Sequence, residues 1–132
     1  MNALDTNTLV RLVVGDDPQQ GRRVLTAMRQ AERESAKFCV TNLVVMEMIW
    51  VLGSIYRLSR EAILEGFDRM SDMKVIAFES PALIRNFIIE GRSSDMDLSD
   101  LLIGLQAQSI GCETVLTFDR KASQSPLFSA LP

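Results

Sequence analysis

Four acidic residues of this 132-residue chain, Asp5, Glu47, Asp100 and Asp119, stand in apolar or strand-like runs, where a carboxylate is costly to bury. Glu47 is the sharpest case. It is the only polar side chain in the ten-residue block 43–52. A helix through that block is apolar all round, which predicts that Glu47 faces protein rather than bulk water. A buried carboxylate must be paired, protonated or bound to a metal. The chain has no histidine, and no lysine or arginine lies close in sequence to Glu47. The four acids therefore read best as mutual neighbours around a divalent cation. Mg²⁺ and Mn²⁺ take oxygen ligands and need only a few carboxylates. Such an ion activates water, and a second about 3.5–4 Å away can stabilise the leaving oxygen of a phosphodiester. The absence of histidine removes the Ser-His and Cys-His nucleophile pairs. Phosphoryl-type hydrolysis suits this donor set better than zinc peptidase chemistry.

Each acid also has a plainer reading. Asp5 can cap the helix that starts at Thr6, and Asp97 with Asp100 resembles a capping pair at the head of another helix. Asp119 can start a turn before Arg120-Lys121, and Glu47 can be a partly exposed helix residue. Arg22, Arg29 and Arg33 share a helical face that could meet phosphates, although a solvated face with Glu32 and Glu34 fits them better. Arg92 and Arg120 lie nearer the expected crevice and are candidates for holding substrate phosphate. Met46, Met48, Trp50, Ile55 and Tyr56 are most simply core, or part of an interaction face.

The elements that must position these residues alternate in type. Residues 2–5 form a short strand-like entry and 6–14 have helical spacing. Gly15-Asp16-Asp17-Pro18 stops that helix and starts another, with Asp17 as N-cap, running to about residue 36. A strand at 37–40 leads into the apolar helix carrying Glu47, capped by Thr41 or Asn42. Ser59 caps the next helix, a strand follows at 74–78, and Ser80-Pro81 opens a helix to about residue 90. Residues 91–94 read as a loop. A helix from Asp97 ends near Ile110-Gly111, a C-cap signature. A strand at 114–118 ends at Asp119. Residues 120–132 are compatible with a turn of helix and a short edge strand, but 123–132 shows no convincing final strand. This alternation predicts an α/β fold with a mostly parallel sheet, whose sites lie beyond the strands' carboxyl ends. Asp5 and Asp119 occupy such ends.

Length and composition predict one soluble domain over 1–132, with 47% apolar and 23% charged residues. A net charge of −3 means that a polyanionic substrate needs local arginines or bridging metal ions. Cys39 and Cys112 are isolated, predicting two buried, reduced thiols and a cytoplasmic setting. No signal peptide is expected, since Asp5 and Arg11 interrupt the first apolar run. The block around Glu47 is shorter than the roughly 20 apolar residues needed to span a bilayer.

Asn2-Ala3-Leu4-Asp5-Thr6-Asn7, Val45-Met46-Glu47, Asp97-Leu98-Ser99-Asp100-Leu101-Leu102-Ile103 and Leu116-Thr117-Phe118-Asp119-Arg120-Lys121-Ala122, in that order, resemble the PIN-domain ribonucleases. The likeness is nearest to the VapC-type toxins of bacterial toxin–antitoxin pairs, and it extends from residue 2 to about 123. It implies a three-layer α/β/α fold with a central, mostly parallel sheet. It further implies Mg²⁺- or Mn²⁺-dependent endoribonuclease activity, dimerisation and neutralisation by a small antitoxin. Asp5, Glu47, Asp100 and Asp119 fall on the family's acidic quartet, and Asp97 on a second acid one helical turn earlier. Thr6, Asn7 and Thr117 fall on small polar positions that orient the carboxylates. Residues 92–96 are more polar than the family pattern.

Two rivals remain. One is the same fold used as a catalytically degenerate binding module. The other is a metal-dependent phosphatase or phospho-receiver. An aspartyl-phosphate phosphatase wants Asp-x-Asp after the first strand, where this chain has Asp5-Thr6-Asn7. A receiver wants a lysine at the end of a late strand, and Thr117-Phe118-Asp119 has none.

Overall fold

The computed structural model describes all residues from Met1 to Pro132. Internal contacts divide the chain into two compact units, Met1–Pro81 and Ala82–Pro132. Every strand pair in both units is parallel, as short strands linked by helices require.

The first unit holds β1 (Asn2–Ala3), α1 (Thr6–Val13), α2 (Pro18–Arg33), β2 (Phe38–Val40), α3 (Asn42–Trp50), α4 (Arg60–Asp72) and β3 (Ile76–Phe78). Its three strands lie in the order β1-β2-β3, with Ala3 opposite Cys39 and Cys39 opposite Ala77. Local chemistry sets the helix ends. The side chains of Asp17, Thr41 and Ser59 accept bonds from the backbone N–H groups of Gln20, Val44 and Ala62, and Pro18 takes the first helical position. α2 stops three residues earlier than its pattern suggests. Ser35 adopts φ +53°, and the Ala36 N–H bonds to the Ala31 carbonyl at 2.8 Å. That is the Schellman closure usually given to glycine, here made by a serine.

α3 behaves differently from the expectation of burial on all sides. Val45, Met48, Ile49 and Leu52 are buried at i, i+3, i+4, i+7 spacing, while Leu43 is 84% and Trp50 57% exposed. The apolar surround of Glu47 in sequence is thus two apolar residues on an open face. Beyond Trp50 the helix widens into a π-turn over Val51–Ile55, a feature its composition does not signal.

The second unit holds α5 (Pro81–Ser93), α6 (Leu98–Ser109), β4 (Val115–Thr117) and β5 (Phe128–Ala130), with a 3₁₀ turn at Ala122–Gln124. The expected loop at 91–94 is instead mostly helix. Gly91 is buried, and the Ser93 hydroxyl bonds back to the Ile89 and Glu90 carbonyls. A final strand also exists: Val115 pairs with Phe128 and Thr117 with Ala130. Its sequence is too short to show alternation.

Gly104 is what lets α6 lie on that strand pair. A Cβ there would come within 2.9 Å of both Leu127 Cβ and Phe128 Cε2. α6 ends in a second Schellman closure, with Gly111 at φ +95° and the Cys112 N–H on the Ala107 carbonyl at 3.0 Å. Both cysteines are free, but Cys39 is half-buried and Cys112 exposed rather than both enclosed, because Cys112 falls in the turn after α6. No helix is long and apolar enough to cross a membrane.

Candidate acidic site

In the first unit, Asp5 follows β1, whose path is held by the Leu4 N–H on the Cys39 carbonyl at 3.0 Å. Extended backbone at Asp5 makes it the N-cap of α1. Its Oδ1 accepts from the Thr8 hydroxyl at 2.7 Å and from the Thr8 N–H at 2.9 Å. These bonds favour the charged form, so the Asp5 carboxyl sits below the ordinary carboxylate value, with the hydroxyl bond the larger cause. Thr8, rather than Thr6 or Asn7, orients this carboxylate. Thr6 is buried and Asn7 exposed beside Asp5. Asp followed three residues later by Thr was the available signal.

Glu47 is exposed on the open face of α3. This corrects the expectation that it points into protein. The reason is the one-sided burial of that helix, and burial therefore supplies no demand for a partner.

In the second unit three acids border one depression. Asp97 is the N-cap of α6, its Oδ1 accepting from the Asp100 N–H at 3.1 Å. Asp100 lies in the first turn, half-buried. Asp119 leaves β4 in a tight turn. Its N–H donates to Thr117 Oγ1 at 3.0 Å, and its Oδ1 accepts from the N–H groups of Lys121 at 2.8 Å and Ala122 at 3.1 Å. Asp97, Asp100 and Asp119 line one depression of about 630 Å³, together with Lys121.

Burial raises the Asp100 carboxyl above its ordinary value, and the charges of Asp97 and Asp119 push it further the same way. Thr117 acts through the Asp119 backbone, so it shapes the turn rather than touching the carboxylate. Lys121 was not foreseen as a cation of this depression; its place two residues after Asp119 was the only hint. Arg92 is exposed in the last turn of α5 and Arg120 is exposed after Asp119, but neither lines the depression.

Carboxylate oxygens are the donor type that a hard divalent cation takes. Asp100 is partly desolvated and crowded by like charge, a situation that a bound cation relieves. No group of three or more His, Cys, Asp or Glu side chains converges closely enough to hold an ion.

The PIN domain profile matches residues 3–125, and the chain belongs to the PIN-domain family. PIN domains are generally nucleases that need metal ions, and they act on RNA. Comparison with curated proteins and with solved structures gave no match.

Proposed function

We propose that this protein is a Mg²⁺- or Mn²⁺-dependent endoribonuclease, and the toxin of a VapC-type toxin–antitoxin pair. The observation that carries the reading is the match of residues 3–125 to a nuclease family, with Asp97, Asp100 and Asp119 of that stretch bordering one depression. The raised Asp100 carboxyl in that depression agrees with it, because functional sites are enriched in such perturbed groups.

Asp5, Glu47, Asp100 and Asp119 would hold the metal. When bound, the ion supplies charge neutralisation at the phosphodiester and activation of water. The chain's own residues do the rest. Thr8 fixes Asp5, the Asp97 cap fixes the head of α6, and the turn from Thr117 to Ala122 fixes Asp119. Lys121 neutralises phosphate at the rim. The reading includes one PIN domain spanning the chain, a homodimer, a small cognate antitoxin and a cytoplasmic setting.

Purified protein should cleave RNA with Mn²⁺ and stop on chelation. Expression without the adjacent small open reading frame should arrest growth, and co-expression should relieve the arrest. Harmless expression with no cleaved RNA ends would sink both parts of the proposal.

One observation favours a second reading, a degenerate binding module. Asp5 and Asp119 already spend an oxygen on their own backbone turns. Calorimetric titration with Mn²⁺ separates the two, because only a working quartet binds it.

A further inference from the structure

α2 is the most basic element of an acidic chain. Pro18–Arg33 carries Arg22, Arg23, Arg29 and Arg33 against the single acid Glu32, so four positive charges minus one negative leave +3, which its two acidic caps, Asp17 and Glu34, reduce to +1. The whole chain is −3.

Two adjoining depressions run along this helix. One, of about 470 Å³, is bordered by Asp5, Asn7, Thr8, Arg11, Gln20 and Arg23. The other, of about 610 Å³, is bordered by Gln19, Arg22, Arg23, Thr26 and Gln30. Arg23 belongs to both.

The arginines differ in what they have left to offer. Arg11 is engaged: its Nε donates to Gln20 at 2.8 Å, and its Nη1 donates to Asp16 and to the Tyr56 hydroxyl, each at 3.0 Å. Arg22 and Arg23 are exposed, and neither guanidinium is paired with a protein acid. The depressions hold no aromatic side chain; beside the arginines lie amides, hydroxyls, short apolar groups and, in the first, the Asp5 carboxylate.

We propose that Arg22 and Arg23 form a phosphate-binding track that leads the backbone of single-stranded RNA along α2 toward Asp5. The inference rests on RNA being the substrate, as in the function proposed above. A guanidinium presents a planar fork of donors matched to phosphate oxygens. On an acidic chain, two exposed arginines without an acidic partner are where a polyanion meets least repulsion. Base stacking on single strands needs aromatic platforms. Their absence makes this a backbone contact, indifferent to base sequence. Sequence choice must then be made elsewhere.

The test is binding of a fluorescein-labelled, mixed-sequence single-stranded RNA to the full chain in EDTA, followed by anisotropy across a salt series. Arg22→Gln and Arg23→Gln should each weaken binding several-fold at low salt. Each should also flatten the dependence of log affinity on log salt by about 0.7. The double variant should add the two effects, while Arg69→Gln on α4 changes neither. Wild-type affinity and slope in the double variant overturn the track. Equal, Arg23-dependent binding of polyglutamate also overturns it, because the surface would then be a site for acidic protein. Arg23-dependent RNA binding by a chain that cleaves nothing supports the track while defeating the nuclease reading.

Discussion

Asp5 and Asp100 are the same residue type at the heads of two helices, yet their surroundings push them in opposite directions. Asp5 is exposed and takes two hydrogen bonds from Thr8, which hold its proton off. Asp100 is half-buried, and burial with two neighbouring acids raises its carboxyl. The first is a carboxylate already satisfied by its own helix. The second is a carboxylate that the fold leaves short of positive charge. One shows what hydrogen bonds from a helix do to a carboxylate, the other what burial beside like charges does.

The largest expected effect follows from the stressed member. Asp100→Asn should cut metal-dependent RNA cleavage by more than the roughly 10–100-fold typical of a merely supporting partner. In EDTA the same variant should be as stable as wild type or more so by urea denaturation, since it removes an unfavourable charge. Loss of folding along with activity would make Asp100 structural and erase the contrast with Asp5. Next in size is Gly104→Ala, which drives a Cβ against Leu127 and Phe128. It should cost about 1–3 kcal/mol by overpacking. By pushing α6 off the β4–β5 pair, it should also separate Asp100 from Asp119 and bring the Asp100 carboxyl down. NMR titration of the side-chain carboxyl would read that shift.

How much of this was legible in the sequence differs between the same two regions. The caps Asp17, Thr41 and Ser59 were readable because each is a local contest between one side chain and the next backbone N–H groups. The end of α6 at Gly111 was readable for the same reason. Glu47 was misread because composition cannot say which side of an apolar helix lacks a neighbour. Leu43 and Trp50 are as apolar as Val45 and Met48, yet they face water. β5 was hidden because three residues are too few to show a period of two, and its pairing with β4 is a non-local fact. Acid identities at Asp5, Asp100 and Asp119 were visible in the sequence. The opposite tuning of Asp5 and Asp100 was not, because it depends on Thr8 on one side and on burial on the other.

The smaller predictions test the satisfied member. Asp5→Ala removes the cap of α1 and should cost about 1 kcal/mol, whereas Asp5→Asn keeps a capping oxygen and should cost little. Both should lose Mn²⁺ binding by calorimetry if the carboxylate is a ligand. Retained binding in Asp5→Asn would leave only the cap.

The last difference lies in pH. Asp5 has a lowered carboxyl in the folded chain, so its contribution to stability is present above the ordinary carboxylate value of 3.8 and is lost as pH falls through its lower folded value. Asp100 has a raised carboxyl, so its ionisation weakens the fold above its folded value, and that penalty fades as pH falls toward 3.8. Metal-free stability attributable to these two groups should therefore rise on acidification from neutrality and then fall. Asp100→Asn should remove the rise and leave the fall. A profile that keeps its rise in that variant would place the stressed carboxyl elsewhere in the molecule.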